Sequence, residues 1–243
     1  MHVKVEKGAA WAGLAMLVVF MVLFVGVAGL IPPMDPGASA EQISAIYAEH
    51  GLRIRIGLAL MTLLTVFFTP YLALLARQVR RIEGYWGVMS LTQVMLGAIF
   101  PLVFMLCSIL GMVAAYRPER NPDVTQAFND GFWFMFVGLV GPLVFQVVIL
   151  AFAVFMDKRE RPSFPRWYGY FNIWYAILSV PGCAIYLFKS GPLAWNGVFA
   201  FWIPLTAFAI WWTVTTFMLV KAVDVEAAER SARSAERTWE PAA

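Results

Sequence analysis

The chain has 243 residues, 61% of them hydrophobic and only 14% charged, against about 45–50% apolar and about 25% charged in an ordinary soluble domain. The excess lies in long uninterrupted blocks, which excludes a water-soluble globular fold and predicts an all-α polytopic membrane protein. The net charge of +3 is small, and the basic residues fall between the apolar blocks. They read as a topology signal rather than a nucleic-acid surface.

Six transmembrane helices are expected, at about 8–31, 52–76, 85–115, 131–156, 167–188 and 195–220. A helix needs about 20 residues to cross a bilayer core. They form one bundle over residues 1–221, followed by a charged helical tail at 222–243. The first apolar run is longer than the about 7–15 residues of a secretion-signal core, so it reads as an uncleaved span. It has no polar residue at mid-depth and is expected to face lipid. In the loop after it, Ser39 stands three residues before Gln42, a capping-box spacing. Ile43, Ile46 and Tyr47 follow at helical spacing. They predict a short amphipathic surface helix closed by Gly51.

The second span is entered through Arg53 and Arg55 and carries Pro70. Its threonines, Thr62, Thr65 and Thr69, share one helix face and should bond to backbone or to a neighbouring helix. Arg77, Arg80 and Arg81 then form a basic face, expected to meet lipid phosphates before Gly84 stops the helix. The third span carries Gln93 and Pro101. Asn121-Pro122-Asp123 has the pattern of a helix start, with an N-cap, an N1 proline and a first-turn acid.

The fourth span opens on Asn129-Asp130 and runs without charge from Gly131 to Met156, with Gly138, Gly141, Pro142 and Gln146 near its middle. The fifth carries Asn172, Ser179 and Pro181-Gly182. The sixth carries Pro204 and the threonines Thr206, Thr213 and Thr216. In the tail, Glu226–Arg230 and Glu229–Arg233 have i,i+4 spacing. The string Gly-x-x-x-Pro-Leu-Val-Phe occurs at Gly97–Phe104 and again at Gly138–Phe145. An inverted three-plus-three repeat would instead pair the third span with the sixth, and the loop lengths do not fit it.

Five spans contain an interior proline, Pro70, Pro101, Pro142, Pro181 and Pro204. Each removes a donor and leaves a carbonyl four residues earlier without its helical partner. In lipid such a carbonyl must find protein or water, so the spans should be kinked and the interior splayed. The buried amides Gln93, Gln146 and Asn172 should face this interior. Arg53, Arg55 and Asp130 mark a candidate ligand entrance at the outer rim, whose bland alternative is a set of rim salt bridges. Trp11, Trp86, Trp133, Trp167, Trp174, Trp195 and Trp202 lie near expected interfaces, as an aromatic belt would.

His2 and His50 both lie outside the spans, so an intramembrane haem or histidine-rich di-iron site is not expected. Cys107 and Cys183 fall inside apolar runs and should be free thiols. No cofactor is expected, and no clustered metal ligands or activated nucleophile are legible. No Asp, Glu, Lys or Arg falls in the middle of a span, which argues against a proton relay.

The stretch FPRWYGYFNIW, then PG and FKSGPLAWNGVFAFWIP, over Phe164–Pro204, resembles the C-terminal half of uncharacterised six-span bacterial integral membrane proteins. That resemblance implies a bacterial inner-membrane location and carries no catalytic residue. Three functions are weighed. The first is binding or transfer of a hydrophobic or amphipathic small molecule in the bilayer. The second is a non-catalytic subunit docking with other membrane subunits. The third is an intramembrane enzyme. Membrane lipids are partners in each case, and nucleic acid is not.

Lys4, Lys7, Arg77, Arg80, Arg81, Lys158, Arg159, Arg161, Arg166, Lys221, Arg230, Arg233 and Arg237 fall on one set of segments. Only Arg53, Arg55, Arg117, Arg120 and Lys189 fall on the other. The positive-inside rule therefore places both termini in the cytoplasm. Single cysteines introduced in Pro32–Glu49 and Arg117–Asn129 should react with a membrane-impermeant maleimide from outside the cell. Labelling of either loop only from the cytoplasm would overturn this orientation.

Overall fold

The computed structural model describes residues 2–239 and contains helices and no strand among them. The helices are α1 (His2–Met21), α2 (Ala40–Leu64), α3 (Thr69–Glu83), α4 (Val88–Tyr116), α5 (Pro122–Trp133), α6 (Gly141–Met156), α7 (Arg166–Ser179) and α8 (Ile203–Trp239). Several are continued or joined by other helical turns. α1 runs on as π-helix over Val22–Val27, and a 3₁₀ turn at Thr65–Phe68 joins α2 to α3. A π-helical turn at Phe134–Gly138 follows α5, a 3₁₀ run at Val180–Tyr186 follows α7, and a π-helical turn at Val198–Trp202 leads into α8.

Five helical stretches are long and apolar enough to cross a membrane: His2–Val27, Ala40–Glu83, Val88–Tyr116, Pro122–Met156 and Val198–Ala232. The segment expected as a span at 167–188 is not one of them. Its α-helix, Arg166–Ser179, has only 14 residues, and its Tyr, Trp and Asn side chains lower its mean hydropathy. Large apolar side chains such as Leu63, Phe67, Met95, Phe145, Phe152 and Ile177 cover the outside of the bundle, as bilayer contact requires.

Several local signals have the expected form. Ser39 and Gln42 make a reciprocal capping box, with Gln42 N–H donating to Ser39 Oγ (3.3 Å) and Ser39 N–H to Gln42 Oε1 (2.9 Å). Asn121 caps α5 through the Asp123 N–H (2.9 Å), and Gly84 ends α3 in the left-handed region at φ 83°. Thr62, Thr206, Thr213 and Thr216 each donate to the carbonyl four residues back.

Other expectations are corrected. The surface helix does not close at Gly51, because α2 passes through that residue without a break into the second span. The bare Cα of Gly51 instead lets α2 approach the Ala115 carbonyl of α4. The tail continues the last span as a helix, since α8 is unbroken past residue 221, and its first residues Ala222 and Val223 are buried. The tail's last residues, Glu240–Ala243, lie outside the described residues. Trp133 and Trp195 belong to the core rather than a belt, whereas Trp11, Trp86, Trp167, Trp174 and Trp202 are exposed. The first span does not simply face lipid, since Phe20 and Phe24 are buried.

The two ends of the bundle are fastened differently. At one end Trp195 Nε1 donates to Met34 O (2.7 Å), Gln126 Nε2 to Ala38 O (3.1 Å), and Tyr47 OH to Asn129 Oδ1 (3.2 Å). At the other end an ion-pair lattice joins both chain ends to α3 and to the α6–α7 loop. Arg77 bridges Glu6 of α1 (2.7 Å) and Glu226 of α8, and Glu226 also holds Gln78 (3.2 Å) and Arg230. Lys7 pairs with Asp224 (2.6 Å), and Arg81 with Glu229 (2.7 Å). Arg77 and Arg81 therefore face carboxylates rather than lipid phosphates. Exposed Arg80 lies 5.1 Å over the Trp86 ring.

Asp157 anchors the loop of this lattice. Its buried carboxylate takes a two-point contact from Arg159 (2.8 and 2.6 Å) and the Ser163 N–H (3.0 Å). Ser163 Oγ in turn accepts from Arg81 (3.2 Å). Burial pushes the Asp157 carboxyl up, but the bonds from Arg159 and from the two backbone N–H groups outweigh it and leave it below the usual carboxylate range. A depressed carboxylate contributes stability that is complete above its unfolded value, about 3.9, and is lost as pH falls through the folded value. Asp157→Asn should therefore melt below wild type at pH 7, and the gap should close on acidification below about pH 4. Melts in detergent micelles across that range measure it, and a gap independent of pH would refute the assignment.

Candidate functional site

The helix breaks have a common cause. Proline has no N–H, and its ring crowds the carbonyl four residues earlier, so the preceding turn loses its α-helical bonding. The turns before Pro70, Pro142 and Pro204 are 3₁₀ or π-helical, and Pro181 stands in the 3₁₀ run that follows α7. Ahead of Pro142 the helix is interrupted outright: Leu139 has φ −81° and ψ 52°, and Val140 N–H bonds back to Gly138 O (2.8 Å). Pro101 is the exception, as α4 runs through it from Val88 to Tyr116.

Three of these breaks meet. The π-helical turn of the fourth span packs on the 3₁₀ run after α7, which packs on the π-helical turn before α8. Irregular turns cannot interdigitate side chains as regular helices do, and a cavity of about 110 Å³ remains beside them. Phe136, Val137 and Val140 come to it from the fourth span, and Tyr175 and Ser179 from α7. Ala200, Phe201, Pro204 and Phe208 come from the last span, Phe100 and Phe104 from α4, and Phe20 from α1. The splayed interior expected from the prolines takes this form, and α1 joins its lining while the second span does not.

The wall is aromatic and held by its own ring contacts. Phe20 meets Phe104 edge-on at 4.9 Å, Phe104 meets Phe100 at 5.0 Å, and Phe104 meets Phe136 at 5.6 Å. Phe136 stacks on buried Phe24 at 4.6 Å. Such pairs contribute about 0.5–1.5 kcal/mol beyond area burial, so the rings are fixed in place. Ser179 Oγ already donates to Tyr175 O (2.9 Å). No charged side chain lines the cavity. A second cavity of about 70 Å³ lies across the partition formed by Phe100, Phe104, Phe136, Val140 and Leu143, and Gln146 is on its wall.

The three expected interior amides separate into two roles. Asn172 is fully used: Nδ2 donates to Tyr168 O (2.6 Å), and Oδ1 accepts from Trp211 Nε1 (2.8 Å). It ties α7 to α8. Gln93 Nε2 donates to the Gln146 backbone carbonyl (2.6 Å), tying α4 to α6. Among the described residues Gln93 Oε1 and Gln146 Nε2 are buried without a protein partner, as are Thr65 Oγ1, Ser108 Oγ and Trp133 Nε1.

The rim residues are not drawn together. Arg53 is exposed, with its guanidinium against Gly29. Arg55 is half-buried; Nε donates to Gly51 O (3.3 Å), and the guanidinium lies 5.8 Å over the Tyr116 ring. Asp130 is half-buried and accepts from Asn129 Nδ2 (3.3 Å). Among the described residues no ion pair or hydrogen bond links the three, and none of them lines either cavity.

Cys107 is buried and Cys183 exposed, and both are free thiols. Among the described residues no three His, Cys, Asp or Glu side chains gather as metal ligands do. The residues that sequence reasoning missed are the phenylalanines of the wall. The available signal was their spacing from prolines, with Phe100 just before Pro101 and Phe201 three residues before Pro204. Compared with protein-family models, curated proteins and solved structures, the chain matches none.

Because Asn172 satisfies the Trp211 indole inside the bundle, its removal leaves a buried donor without a partner. Asn172→Leu should cost about 1–3 kcal/mol, read as a lowered denaturation midpoint in micelles. An unchanged midpoint would mean that the Trp211 indole finds another acceptor.

Proposed function

We propose that this is a six-span membrane protein that binds a hydrophobic small molecule within the bilayer. The observation that carries the reading is the aromatic cavity beside the three meeting helix breaks. Regular helices would have packed this space shut. Pro204 stands on its wall, and Pro142 and Pro181 belong to the breaks that pack beside it, at the cost of backbone hydrogen bonds, which in lipid are costly to lose. The wall offers rings and aliphatic groups without charge, so the part of the ligand it holds is apolar.

The six-span count extends the five long apolar helices by one. Between Ser163, bonded to Arg81 at the charged end, and Trp195, bonded to Met34 at the opposite end, the chain must travel the length of the bundle. α7 with its 3₁₀ run covers residues 166–186. At about 1.5 Å per residue in the α part and about 2 Å in the 3₁₀ part, that run reaches across a hydrocarbon core of about 30 Å. The pairing of α1 with α8 through Lys7 and Asp224 supports termini on one side, and the basic bias of that end favours the cytoplasm. We take the altered turns at Pro70, Pro142, Pro181 and Pro204 as the kinks of a bacterial inner-membrane bundle.

Native mass spectrometry on gently extracted protein tests the binding reading. The wild-type protomer should carry a small lipophile, and Ala200→Phe, which fills the cavity from a buried position on its wall, should lose it. A bare wild-type protomer, or equal loading of both proteins, would refute the reading.

A further inference from the structure

The two unpartnered amide groups are complementary. Gln146 Nε2 is a donor without an acceptor, and Gln93 Oε1 is an acceptor without a donor. Gln93 is already bonded to the Gln146 backbone, so the side chains are neighbours. Both residues are essentially inaccessible, at 0% and 1% exposure. A buried polar group without a partner costs about 1–3 kcal/mol, so the pair is costly unless a third group satisfies it. Gln146 stands on the wall of the second cavity, which shares five wall residues with the aromatic one: Phe100, Phe104, Phe136, Val140 and Leu143.

We infer that Gln146, with Gln93 bonded behind it, forms the polar subsite of the second cavity, and that the ligand it takes is uncharged, with an apolar body and one hydroxyl. This rests on the binding reading above. A hydroxyl both donates and accepts, so one oxygen can accept from Gln146 Nε2 and donate to Gln93 Oε1. A ketone or ether satisfies only the donor, and an ammonium only the acceptor. An ionised headgroup is disfavoured, because neither cavity wall holds a countercharge and an unpaired charge in such surroundings is costly. Size narrows the class further. A dry cavity of about 150 Å³ admits benzene, and the two spaces here are about 110 and 70 Å³ on either side of one partition. Only the space of about 70 Å³ carries Gln146, so a ring seated there must press back the shared partition, the body is no larger than a single ring, and the ligand class is that of simple phenols.

The experiment uses 4-fluorophenol and 4-fluorotoluene, which differ in a hydroxyl against a methyl of similar size. Binding to the full chain in nanodiscs is read by ¹⁹F NMR, with empty nanodiscs correcting for partition into lipid. Wild type should bind the phenol about tenfold more tightly than the toluene, the equivalent of about 1.4 kcal/mol. The double variant Gln93→Leu/Gln146→Leu should still bind the toluene but lose the preference. Equal binding of both probes by wild type, or a preference that survives in the double variant, would overturn the polar subsite and leave the cavity reading standing. Binding of neither probe, or of both equally in wild type and Ala200→Phe, would overturn both. Should the double variant fail to fold, the wild-type preference for the phenol decides alone.

Discussion

The junction of Gly13, Tyr71 and Trp212 fixes where the other helices can go. Trp212 Nε1 donates to the Gly13 carbonyl (3.0 Å), and Tyr71 OH donates to the Trp212 carbonyl (3.3 Å). The two rings stack at 4.7 Å with an interplanar angle of 12°. A Cβ at position 13 would stand 2.2 Å from the Tyr71 ring, so only glycine permits α1 to lie this close to α3. Hydrophobicity provides no preference between helices in a bilayer, because lipid tails are equally apolar. Close packing and interior hydrogen bonds must choose the partners, and here they choose α1, α3 and α8. Trp212 then meets Phe68, Phe100 and Phe208, which sets one side of the aromatic wall.

The same device recurs through the interior. Trp195 reaches the Met34 carbonyl, Trp211 the Asn172 amide, Tyr168 the Thr215 hydroxyl (2.8 Å) and Tyr186 the Phe134 carbonyl (3.1 Å). Each aromatic residue provides a large apolar surface and a single polar atom, and the polar atom finds a partner on another element. The last of these bonds lands on the π-helical turn of the fourth span. The polar atoms of the core are thus largely committed to structure. Among the described residues, Trp133 Nε1, Thr65 Oγ1 and Ser108 Oγ depart from this pattern, and so do Gln93 Oε1 and Gln146 Nε2, of which Gln146 stands on a cavity wall.

The sequence made the class of fold legible because long apolar blocks have few alternatives to helix in a membrane. Local signals with a fixed geometry, such as Ser39–Gln42, Asn121–Pro122 and Gly84, were readable for the same reason. What failed was long-range. Arg77 and Arg81 looked like lipid-facing cations, and nothing local announces Glu6 or Glu226, which lie far away in the chain. Trp133 and Trp195 looked interfacial, because depth along a span says nothing about which face is buried. The repeated Gly-x-x-x-Pro-Leu-Val-Phe shows the limit most directly. At Pro101 the helix runs on, and at Pro142 it breaks, so one string has two structures in two settings. The prolines pointed to an irregular interior, but not to which breaks meet or which phenylalanines stand around them.

The ion-pair lattice has a consequence for the order of assembly. Arg77 and Arg81 leave the ribosome long before Glu226 and Glu229, which lie on the last helix to be made. A nascent chain holding only α1 to α3 has Glu6 for Arg77 but lacks both later carboxylates. Until α8 is made, Arg81 and the second face of Arg77 have only lipid headgroups and water in place of those carboxylates. The arrival of α8 exchanges those contacts for carboxylates, and it joins the first helix to the last. The bundle is therefore locked from its final segment, and a chain truncated before Glu226 keeps the Lys7–Asp224 pair but loses the carboxylates that meet Arg77 and Arg81 from α8.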